Sequence, residues 1–226
     1  MHAKYGKWHA DGTILSDLGL KTILFHSCRV MLRFKRAIIW LRRIGHGRGF
    51  GVQSPNDYYF LRNVINEHIP YYKYDDLKEV VACENKYSRK MCQLCFRLSN
   101  HAQADFFLEI NANNDAVREY VLAACKKTKA IKASLPANLP DAWQGKTFFV
   151  WCAYSPGIEP LVSKVVELSG ERSVIVVDQI YENRETQDFW NAMADDNHIT
   201  IAYDLYHSGI LLKESRRYKK KYFVNF

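Results

Sequence analysis

"DFFLEINANNDAVREYVLAAC", residues 105–125, reads as a buried strand, a tight turn and an amphipathic helix. In many nucleotide-binding proteins the turn of such a unit is glycine-rich, because glycine lets the backbone bend sharply and approach a ligand closely. Here the turn is Asn111-Ala112-Asn113-Asn114-Asp115 and holds no glycine. Asparagine and aspartate are the other residues best able to enter left-handed conformations, and Asn114 or Asp115 can cap the helix that follows. The turn is therefore expected to form. Its side chains are expected to crowd the space beside it.

Outward from this unit the chain alternates short apolar strands with amphipathic helices. Strands are predicted at 105–110, 128–133, 146–152, 172–178, 198–205 and 208–213, with a last extended piece at 221–226. Helices are predicted at 113–127, 157–169 and 184–195. Runs such as "SVIVVD", residues 173–178, are apolar on both faces, as in a parallel sheet covered by helices on both sides. The closing strands, joined at His207-Ser208-Gly209, predict an antiparallel hairpin at a sheet edge. The expected fold class is α/β: a Rossmann-like, mostly parallel sheet with helices on both faces, an antiparallel C-terminal hairpin and extra N-terminal helices. Residues 1–104 are expected to be a helical extension packed on a core of residues 105–226, in one globular unit.

Ahead of the core, residues 29–44 have helical spacing. Val30, Phe34, Ile38, Leu41 and Ile44 share one face, and Arg29, Arg33, Arg36 and Arg43 share another with Trp40 among them. Docking of the apolar stripe on the chain's own domain is the preferred reading over a membrane-surface role. "GHGRGFGVQSP", residues 45–55, imitates a phosphate-binding loop. Such a loop needs a strand before it and a helix N-terminus after it, whereas a basic helix precedes this one, so it reads as a hinge. Ser54-Pro55 then opens a helix at 55–69, followed by helices at 75–83 and 86–100. Cys92 and Cys95 form a lone C-x-x-C, but Met91, Leu94, Cys95 and Leu98 fall at core spacing, so both cysteines are expected to pack. The histidines 46, 68, 101 and 198 lack metal-ligand spacing, and no metal is expected.

The chain has 226 residues, 48% of them apolar and 25% charged, the balance of a globular domain. No apolar run approaches the ~20 residues that span a bilayer, so an integral membrane protein is excluded on this reading. The start lacks a basic n-region and a sustained apolar h-region, and a cytoplasmic location is expected. The net charge of +8 is concentrated at residues 29–48 and 213–221. Weak contact with anionic lipid or nucleic acid would come from those two runs, though no specific nucleic-acid motif accompanies them.

The order of elements resembles the class I S-adenosylmethionine (SAM)-dependent methyltransferase fold. More narrowly, the chain is similar to a small bacterial family of proposed methyltransferases, through "GFGVQSP" at 49–55, "PYYKYDDL" at 70–77, "YSRKMCQLCFRLSN" at 87–100, "IVVDQIY" at 175–181 and "TIAYDLYHSGILL" at 200–212. The resemblance begins near Met31, so residues 1–30 are expected to be an extension or to precede the native start. It implies SAM bordered by the strand acid Glu109, by Asn111, Asn113 and Asn114 in the glycine region, and by Cys152 where "FFVWCAYSP" replaces an aspartate-containing strand end. It implies a catalytic or acceptor-orienting role for Asp178. Ala133 and Ser134 stand where an acid would hold the ribose, and "LPANLPDAWQG", 135–145, leaves little room for an intervening helix and strand. Each lost charged hydrogen bond to a ligand costs on the order of 1.5–3 kcal/mol. SAM is thus possible but expected to bind weakly or not at all, leaving a binding or structural role. An active O- or N-methyltransferase with an atypical pocket is the alternative, its acceptor unreadable from sequence.

Overall fold

The computed structural model describes residues 37–43, 52–80, 86–111, 114–133 and 139–226. Residues 1–44 and 45–226 form two compact units. In the first, residues 37–43 are helical (α1), inside the helix expected at 29–44. The rest of that helix, most of the glycine hinge, and residues 1–30 lie outside the described residues.

The second unit is built on seven strands: β1 Phe106–Ile110, β2 Lys129–Ala133, β3 Phe148–Ala153, β4 Val174–Asp178, β5 Ile201–Asp204, β6 Ser208–Leu212 and β7 Lys220–Phe223. They lie in the order β2-β1-β3-β4-β6-β5-β7. The first four are parallel, with Glu109 beside Lys132 and Trp151, and Cys152 beside Ile110 and Val177. β6 runs antiparallel to both β4 and β5, and β7 is parallel to β5. This is the expected mostly parallel sheet with an antiparallel hairpin. One detail differs: β7 pairs along the outer side of β5, so the hairpin is interior and β7 forms the edge. The chain after Leu212 turns back far enough for Lys220–Phe223 to satisfy the backbone groups that β5 would otherwise leave open.

Helices cover both faces. α2 Pro55–Phe60 runs directly into a π turn, Leu61–Ile65. With α3 Lys73–Asp76, α4 Lys86–Ala102 and α5 Asp115–Ala124, it packs against Phe107, Phe149, Trp151, Val176, Tyr203 and Ile210. α6 Glu159–Leu168 and α7 Arg184–Ala194 pack on the opposite face, against Leu108, Ile110, Val150, Cys152, Ile175 and Leu211. Strand alternation assigns these faces.

Local chemistry explains the starts and stops. Ser54 Oγ accepts from the Asp57 amide at 3.4 Å, with Pro55 next to it, as the sequence implied. The carbonyls of Val64 and Ile65 at the far end are met by the buried Arg97 guanidinium at 2.6 and 2.9 Å. Cys92 and Cys95 are buried on α4 beside Met91 and Leu94, in the packing role their spacing suggests. α3 is shorter than the helix expected at 75–83 and gives way to turns through Val80. Gly209 of β6 lies against the buried Trp190 of α7, where an added Cβ would come within 2.2 Å of the indole. That close approach requires glycine.

Candidate functional site at the strand tips

Glu109, Asn111, Asn114 and Asp178 gather at the carboxyl ends of β1 and β4, where open α/β sheets bind ligands. Asn111 takes the left-handed conformation (φ 49°) that permits a turn without glycine. Its side-chain amide donates to the Ala153 carbonyl at 3.3 Å, tying the tip of β1 to the tip of β3. Asn114 caps α5, accepting from the Val117 amide at 3.1 Å. Asn113 lies outside the described residues.

Glu109 is buried, and its Oε2 is held by Arg118 from the second turn of α5, through Nε at 2.7 Å and through Nη2. Arg118 also reaches Asp115 at 2.8 Å. Oε1 of Glu109 is buried without a hydrogen-bond partner among the described residues. One oxygen of the acid that the resemblance offers to a ligand is thus engaged by a cation of the fold, and the other is unmet among the described residues. Sequence reading missed Arg118, and the signal was present: an arginine three residues after Asp115 and nine after Glu109 lies one helical turn above the strand tip.

Cys152 departs from the group. It is paired with Ile110, so its side chain falls on the opposite face from Glu109. There it is buried among Val150, Leu161, Val162 and Val177, and burial pushes the thiol up to about 12. The side chain is packed in the core of the α6–α7 face.

Asp178 ends β4 between Ala153 and Ser208, two strands from Glu109. Burial raises its carboxyl above the usual range, while the backbone and side chain of Gln179, itself left-handed (φ 54°), oppose that rise. Beyond it Tyr181 donates to the buried Asp204 at 2.5 Å and stacks on Tyr206 of the β5–β6 turn. Among the described residues no group of three or more His, Cys, Asp or Glu side chains could hold a metal ion.

In the basic run at 213–221 several side chains also bond to the fold. Lys213 Nζ caps the end of α6 through the carbonyls of Val166, Glu167 and Ser169, at 2.9, 3.2 and 2.6 Å. Lys219 does the same for α7, through Asp195 and Asp196. Arg217 pairs with Asp57 and Glu214, and Lys221 donates to Asn191. Among the described residues no helix is long and apolar enough to cross a membrane.

No family model matches the sequence, and no curated protein does. Solved structures do resemble the chain. A proposed O-methyltransferase from Klebsiella pneumoniae is 10% identical over 71% of this chain and 97% of its own, with a TM-score of 0.47. A Podospora anserina methyltransferase bound to S-adenosylhomocysteine (SAH) is 11% identical over 72% and 97%, with a TM-score of 0.44. A Corynebacterium glutamicum protein is 14% identical over 70% and 98%, with a TM-score of 0.40. The fold itself is read from its own strand order, a Rossmann-like, mostly parallel sheet with helices on both faces. At these TM-scores the neighbours accompany the strand order and do not replace it.

Proposed function

We propose that this chain is a methyltransferase-like protein whose SAM site is weakened or lost, and whose fold serves as a binding or structural module. The observation that carries this reading is the Glu109–Arg118 pair, which commits one oxygen of that carboxylate to the fold. The residues present fit SAM poorly. Asn111 is committed to Ala153, Cys152 lies on the far face, and Ala133 brings no acid to the tip of β2. Two or three such losses weaken a micromolar ligand by about a hundredfold or more.

A second reading, an active O- or N-methyltransferase with an atypical pocket, is favoured by Asp178 alone. A strand-tip carboxyl raised by burial suits a general base that orients an acceptor hydroxyl or amine. Thermal unfolding with SAH separates the two. Ligand at about a hundred times its Kd adds ~2.7 kcal/mol of stability. Millimolar SAH is expected to leave Tm unchanged, and a rise of several degrees would favour the enzyme.

A further inference from the structure

At the amino ends of the parallel strands, opposite the tips, lies a cavity of about 400 Å3 walled by Tyr59 and Phe60 of α2, His101 at the end of α4, and Arg172, Arg216 and Arg217. We propose that it binds a small organic anion in which a flat ring carries a phosphate, of the nucleoside monophosphate type. The size suits such a ligand.

The uncommitted charge in the cavity is net positive. Two carboxylates also line it: Glu214 pairs with Arg217 at 2.9 Å, while Glu171 accepts from the Ser215 amide at 3.2 and 3.0 Å and keeps its charge, which Arg172 and Arg216 together outweigh. Arg217 further holds the buried Asp57 at 2.5 Å, which accepts from the Tyr222 hydroxyl at 2.7 Å. Arg216 makes no hydrogen bond or ion pair among the described residues, and Arg172 gives one N–H to the His101 carbonyl at 2.8 Å, keeping its other donors. Two guanidinium groups are thus left to meet a phosphate, which their planar fork matches.

Two features set this cavity apart from ordinary surface. Arg172 occupies a left-handed conformation (φ 65°), which is uncommon for a non-glycine residue, in the turn before β4. The buried Asp57 and, bound to it, Arg217 form a polar floor, with Tyr222 and Glu214 as their further partners. The walls supply the ring partner. Tyr59 is exposed, and His101 sits edge-on to Phe60 with ring centroids 5.1 Å apart. Burial, then Arg172 and Arg217, lower the His101 pKa, so it meets a ligand as a neutral ring.

The test is calorimetric titration of the full chain with adenosine monophosphate, adenosine and inorganic phosphate. Saturable binding of the monophosphate is expected, with adenosine and phosphate each at least ~10-fold weaker. Arg172→Ala and Arg216→Ala, both surface changes, are each expected to weaken it about ten- to a hundredfold. The His101 ring resonance, assigned with His101→Phe, is expected to titrate at higher pH in the complex, because a bound anion offsets the arginines. No saturable binding, binding unchanged in both arginine variants, or phosphate binding as tightly as the monophosphate would overturn the proposal.

Discussion

The Glu109–Arg118 pair sets the character of the strand tip. A carboxylate this deeply buried survives only with a partner, and Arg118, at 21% side-chain exposure, reaches it from α5. Arg118→Leu strands that charge and is expected to cost about 2 kcal/mol, less than a fully buried pair because water reaches the arginine. Glu109→Leu with Arg118→Leu should recover most of the loss. Urea unfolding of the single and double variants measures both, and equal midpoints for wild type and Arg118→Leu would show the pair to be idle. His101 offers a pH signature. Its folded pKa is lowered from 6.5 by burial and by Arg172 and Arg217, so the unfolded chain binds more protons within that window. Its contribution to stability is complete above pH 6.5 and declines as pH falls toward the folded value. Glu171 and Glu214 face the same cavity, and burial raises the Glu214 carboxyl, which acts in the opposite sense at lower pH. Subtracting the pH profile of His101→Phe isolates the histidine, and parallel profiles would contradict the assignment.

Among the elements, helix ends explain what charge counting alone misreads. Lys213 belongs to a run that looks like a basic surface, yet its ammonium reaches three carbonyls at the end of α6, where the helix dipole also favours a cation. Lys213→Met keeps the stem and removes these bonds. It is expected to cost ~1–2 kcal/mol, visible as a lower urea midpoint and faster amide exchange in the last turn of α6. Unchanged exchange there would rule the cap out. The elements themselves were largely legible. β1, β3 and β4 follow from unbroken apolar runs, α6 and α7 from their periodicity, and the α5 cap from Asn114. Pairings between distant residues were not. The spacing of Arg118 from Glu109 becomes a signal only once the strand and helix are set side by side. Likewise, the face that Cys152 takes depends on a register with Ile110 that no local pattern encodes.

At the scale of the molecule, the sheet keeps a Rossmann-like order while its two ends differ in chemistry. The strand tips have turned their polar groups onto one another, as Glu109 with Arg118 and Asn111 with Ala153 show. The opposite end keeps arginines around an open cavity. The extended piece expected at 221–226 forms as β7, but its pairing outside β5 was hidden in sequence, because no local pattern says which strand it joins. Its backbone pairing and the Tyr222–Asp57 bond bind that piece to α2. The central proposal, that this Rossmann-like chain binds an adenosyl ligand weakly or not at all, is tested most directly by calorimetric titration of the full chain with SAM and SAH at neutral pH. The account predicts no saturable heat for either ligand up to about 1 mM, a free energy weaker than about −4 kcal/mol. A dissociation constant in the low micromolar range for either one would contradict it.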